Sequence, residues 1–70
     1  MNKDIIQGKW HEIKGSVQKK WGKITEDDIG EMKGSYVELQ GMLQKRYGYE
    51  KDISKKQIDE FLKDNNLRDE

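Results

Sequence analysis

Seventy residues carry 14 Lys+Arg against 14 Asp+Glu, so the net charge is zero, with 40% of the chain charged and 31% hydrophobic. This allows one small domain with a marginal core, because a chain near this length buries only about 60% of its unfolded surface. The absence of Cys excludes a disulfide, a zinc-thiolate site and a thiol nucleophile, and zero net charge argues against a strongly electrostatic partner such as bulk nucleic acid.

The first stretch, Met1 to Gly8, has only Ile5 and Ile6 as an apolar pair, far short of a signal-peptide core. No apolar run approaches the roughly 18 residues needed to span a bilayer. The expectation is a cytoplasmic protein without membrane insertion. From there the apolar spacing is helical. Ile6, Trp10, Ile13, Val17 and Trp21 fall within an arc of about 80° at 100° per residue. They predict a first helix near 3–21, closed by Gly22 in a left-handed position.

Ile29, Met32, Tyr36, Leu39, Leu43 and Tyr47 make a second stripe and predict a helix near 26–47. Thr25 is its expected cap, with Asp28 completing a capping box and Ile24 and Ile29 a hydrophobic staple. Gly30 to Gly34 weaken the middle, where a kink or a break into two helices is expected. Gly48 suits a left-handed stop. A third helix is expected near 54–64, carrying Ile58, Phe61 and Leu62. There Ser54 and Gln57 would form the box and Ile53 and Ile58 the staple, with Asp52 as a competing cap. No stretch alternates long enough for a strand. The fold class is therefore all-α, with three long helices or four.

The chain repeats itself. Gly8 to Gly22 aligns with Gly34 to Gly48 at an offset of 26, matching Trp10 to Tyr36, Ile13 to Leu39, Val17 to Leu43 and Trp21 to Tyr47. Neither copy can bury its stripe alone, so the two must pack together. The expected architecture is a pseudo-symmetric bundle of two helical hairpins over residues 1–64. Residues 65–70 form a polar tail expected to fray. Twelve residues form the expected core: Trp10, Ile13, Val17, Trp21, Ile29, Tyr36, Leu39, Leu43, Tyr47, Ile58, Phe61 and Leu62. The glycines make a stripe of their own, Gly8, Gly15 and Gly22 being seven apart, as are Gly34, Gly41 and Gly48. It lies opposite the apolar arc and reads as a solvated face with end caps, as a smooth surface for a partner helix, or as a deliberate weakening of the helices.

Chemistry is sparse. His11 is the only histidine, and a lone His makes neither a metal site nor an activated nucleophile. Glu26, Asp27 and Asp28 point in different directions on a helix and read as caps rather than metal ligands. No catalytic residue, metal or cofactor is expected. Residues 1–24 sum to +4 and residues 25–44 to −4, while the last third balances. Complementary faces of adjacent helices explain this. The competing reading is an anion or nucleic-acid surface built from Lys9, Lys14, Lys19, Lys20 and Lys23, interleaved with Trp10 and Trp21.

Taken together, Gly8-Lys9-Trp10, Lys14-Gly15, Trp21-Gly22-Lys23-Ile24-Thr25, Arg46-Tyr47-Gly48-Tyr49 and Lys51-Asp52 resemble the CsbD-like family of small bacterial proteins over about residues 1–63. The resemblance implies an all-helical domain in the general shape of sterile-alpha-motif-like folds, and a cytoplasmic protein of the general stress response. It implies no catalytic residue. Gly30 and Ser35 depart from the family in adding small residues to the second helix, and Phe61–Leu62 stand where the family often shows Trp. The functional expectation is a non-enzymatic, monomeric protectant similar to hydrophilins. The alternative is a small binding module, a protein adaptor or a weak nucleic-acid binder through the Lys9–Lys23 segment.

Overall fold

A computed structural model describes residues 6–66, and the described residues are helical with connecting turns. After a helical stretch at residues 6–8 and a turn at Lys9, four helices follow: α1 (Trp10–Lys20), α2 (Glu26–Glu31), α3 (Tyr36–Tyr47) and α4 (Lys51–Asp64). Residues 3–5 of the expected first helix and residues 67–70 of the expected tail lie outside the described residues. Within chain order, α1 packs against α2 and α3 against α4.

The break in the second stripe has a clear cause. Met32 and Ser35 are both extended, and Gly34 takes φ +95°, so the chain turns sharply between α2 and α3. Ser35 caps α3: its Oγ accepts from Glu38 N at 3.0 Å. One oxygen of Glu38, Oε1, accepts in return from the backbone N–H groups of Lys33, Gly34 and Ser35, at 2.9, 3.0 and 3.1 Å. Three consecutive donors are thus satisfied by one carboxylate. The Ser35 N–H in particular holds the Glu38 carboxyl below its usual range, against the opposing pull of burial. Gly34 is required twice over. Its φ is left-handed, and a Cβ there would sit 2.8 Å from Trp10 Cδ2 and closer still to Trp10 Cβ and Cγ.

The first capping box forms as the sequence predicts. Thr25 Oγ1 accepts from Asp28 N at 3.1 Å and Asp28 Oδ2 accepts from Thr25 N at 3.0 Å. Ile24 and Ile29, the expected staple pair, are both buried. The expected start of the last helix is corrected. It begins at Lys51 after Glu50, three residues before Ser54, and Glu50 makes no side-chain cap. Ser54 is fully buried inside the helix, and its Oγ donates to Lys51 O at 2.7 Å. Ile53, the expected staple partner, is 43% exposed. A second correction concerns the glycine stops. Gly48 is left-handed at φ +69°, whereas Gly22 is not; α1 ends at Trp21, whose N–H donates to Val17 O.

The core joins both copies of the repeat. Ten of the twelve expected residues are buried, and Ile6, Ile24 and Met32 are buried with them. Trp10 and Tyr47 are corrected to half-buried positions packed against that core. Trp21 and Phe61 meet ring to ring at 5.1 Å, which ties the end of α1 to the end of α4. Asn65 closes α4, its Nδ2 donating to Phe61 O at 2.9 Å, and Asn66 turns the chain at φ 58°.

Candidate functional site

The five lysines singled out from the sequence are all exposed. On helical spacing Lys9, Lys19 and Lys20 fall within an arc of about 100°, and Lys14 falls outside it. Lys9 Nζ lies 3.8 Å from Glu12 in an exposed pair. Lys20 stands 5.6 Å over the Trp21 ring, and Lys23 5.2 Å over the Tyr47 ring. Lys14 turns toward α2 instead. His11 is exposed beside it. Among the described residues, no group of three His, Cys, Asp or Glu side chains could hold a metal ion. No helix among them is long and apolar enough to cross a membrane.

What the sequence did not show is a matched pair of surface grooves. The first lies between α1 and α2, about 680 Å³, with Gly15 and Gly30 on its walls and Glu12, Lys14, Glu26 and Asp27 around it. The second lies between α3 and α4, about 510 Å³, with Val37, Gln40 and Gly41 on one wall and Lys51 and Lys55 on the other. The repeat relates them. Residues 11, 14, 15 and 18 of the first groove become 37, 40, 41 and 44 of the second at the offset of 26. The first residues of α2 and α4, Glu26 and Lys51, are 25 apart, so they occupy equivalent places on the opposite walls. A close reading of the repeat could have found this, because His11 and Lys14 align with Val37 and Gln40.

A bidentate pair binds α2 to α3. Arg46 Nε donates to Asp28 Oδ2 at 2.9 Å, and Arg46 Nη2 to Asp28 Oδ1 at 2.7 Å. Arg46 and the Thr25 N–H hold the Asp28 carboxyl down, from the ordinary 3.8 to about 2. On α3, the Tyr36 hydroxyl donates to Asp59 Oδ1 over a long 3.4 Å, and burial pushes its phenol up. These groups hold helices together. None forms a nucleophile and base within reach of each other.

The profile of the CsbD-like family matches residues 4–56 of this chain. The chain belongs to the CsbD-like family, a stress-response family. Among curated relatives, the UPF0337 protein Bd3330 of Bdellovibrio bacteriovorus is 48% identical over 64 residues, covering 91% of this chain and 69% of the relative. The UPF0337 protein XAC4007 of Xanthomonas axonopodis pv. citri is 46% identical across 100% of this chain and 99% of its own length. The UPF0337 protein YjbJ of Escherichia coli K12 is 41% identical across 97% and 99%. No solved structure matches. In this CsbD-like chain the second helix breaks where its glycines predict, and Ser35 serves as a cap rather than a weak interior residue.

Proposed function

We propose that this CsbD-like chain is a stress-associated, non-enzymatic protectant, acting as a monomeric single domain of residues 1–64 in the cytoplasm. The observation that carries this reading is the surface. A mean hydropathy of −1.20 and 40% charged residues of balanced sign surround one shared core. Such a surface is densely hydrated without a dedicated ligand. The pairing of α1 with α2 and of α3 with α4 supports describing the bundle as two helical hairpins related by the repeat. Its likeness to sterile-alpha-motif-like folds rests on the family resemblance alone. The nucleic-acid reading of Lys9, Lys14, Lys19, Lys20 and Lys23 is the weaker one, because Lys14 lies at the acidic α1/α2 groove, Lys9 pairs with Glu12, and Lys20 and Lys23 lie over aromatic rings.

The test is a freeze–thaw or drying assay on a labile enzyme. Activity retained with this protein should exceed that with an equal mass of serum albumin, at 50 and at 200 mM salt alike, concentrations that span about the range where phosphate contacts weaken. Retention no better than albumin sinks the protectant reading. A saturable complex recovered from stressed cells and lost on nuclease treatment would promote the nucleic-acid module instead.

A further inference from the structure

The two repeat-related grooves share a geometry and differ in chemistry. The α1/α2 groove is ringed by Glu12, Glu26 and Asp27, offset by Lys14. The α3/α4 groove has Lys51 and Lys55 among its lining residues, and the carboxylate beside it, Asp59, already accepts from the Tyr36 hydroxyl. We propose that the α3/α4 groove docks an acidic amphipathic helix of a partner protein, its apolar face laid on Val37 and Gly41 and its carboxylates on Lys51 and Lys55.

Three further observations converge there. Val37 is 65% exposed, the most exposed large hydrophobic residue among those described, and it lies in the groove wall. Gly41 lies beside it with nothing within 4 Å of where a Cβ would stand, so a helix can approach the backbone closely. Gln40, only 8% exposed, carries the one buried side-chain polar atom without a hydrogen-bond partner among the described residues, its Nε2. A buried donor left unpaired is costly. The terminal amide torsion is soft, so the N–H group can turn to an acceptor placed in the groove.

The occupant follows from the charges and spacing. Lys51 and Lys55 are four apart on α4, so their side chains leave one face about 5–6 Å apart. Glutamates four apart on a partner helix present the same interval. The helix-in-groove mode supplies an apolar stripe for Val37 as well. A nucleic acid fits less well: two cations neutralise little, and a phosphate backbone offers Val37 nothing. The inference does not depend on the protectant reading, and its test shares no readout with the freeze–thaw assay.

The test is an amide NMR titration of the full chain. The probe is a synthetic helix of about 18 residues, five turns, with leucine on one face and glutamates four apart on its flanks. A lysine-for-glutamate counterpart and an oligothymidine are the comparisons. The glutamate peptide should bind saturably, shift the amides of Val37, Gln40, Gly41, Lys51 and Lys55, and leave His11 to Gly15 unmoved. Lys51→Glu/Lys55→Glu should weaken it by about tenfold or more. Both lysines are exposed, so folding should survive, and Val37→Ser gives a second variant that leaves the charges in place. No saturable binding, equal binding of the lysine peptide, tighter binding of oligothymidine, or shifts centred on the α1/α2 groove would each overturn the proposal.

Discussion

An alanine at Gly34 and an alanine at Gly41 should move stability in opposite directions. At Gly41 and at Gly15 an added methyl meets nothing within 4 Å, so each substitution should stabilise by about 0.5–1 kcal/mol through helix propensity, read in thermal melts. At Gly34 the methyl strikes Trp10 and the backbone is left-handed, so Gly34→Ala should cost at least about 2 kcal/mol. The heptad spacing made the open face of Gly15 and Gly41 legible. It could not separate Gly34, because spacing records which side of a helix a residue lies on, and Gly34 lies between helices. Trp10 completes the same contact from the other side. It is only half-buried, so Trp10→Ala should cost about 3 kcal/mol, the low end for losing a tryptophan. Unchanged melting would place that indole outside the packing altogether.

Local signals at the element scale were informative only where burial agreed with them. Thr25-x-x-Asp28 was readable as a box and forms one. Ser35-x-x-Glu38 has the same pattern and went unread, because the break between α2 and α3 keeps the apolar phase, with Met32 and Tyr36 buried on either side of it. Ser54-x-x-Gln57 fits the pattern and forms no capping box. Lys51 to Ile53 are already helical there, and Ser54 faces the core. Removing the two serine hydroxyls distinguishes the cases. Ser35→Ala should cost about 1 kcal/mol by equilibrium denaturation. Ser54→Ala should cost distinctly less, since the Lys51 carbonyl that its hydroxyl reaches keeps its helical N–H partner. An equal loss at both positions would contradict the observed start of α4. The charged groove was hidden for a related reason. Charge summed over residues 45–70 cancels, but the α3/α4 groove is lined by Lys51 and Lys55 and by neither Asp52 nor Asp59.

For the molecule as a whole, two carboxylates set the response to acid. Asp28 is held at about 2, below its unfolded 3.8, and Glu38 is held below its ordinary 4.5. A depressed folded value adds stability that is present above the unfolded value and is lost as pH falls through the folded one. Melting temperature should therefore be flat from neutral pH down to about 5 and should fall between about 4.5 and 2. Arg46→Met should flatten part of that fall, because it releases Asp28 from its bidentate partner. A melting temperature that does not change across this window would mean that neither carboxylate is held in solution as described. The contact between Trp21 and Phe61 has a consequence of another kind, in the order of synthesis. It closes a loop of 40 residues, from the end of the first helix to near the end of the last. Loop closure of that length comes late and costs entropy before any contact repays it. A nascent chain released before α4 is made would hold Trp21 without the ring that covers it. The chain should therefore mature in a single late step, and translation halted within α4 should leave an unfolded product open to proteases rather than a half-built one.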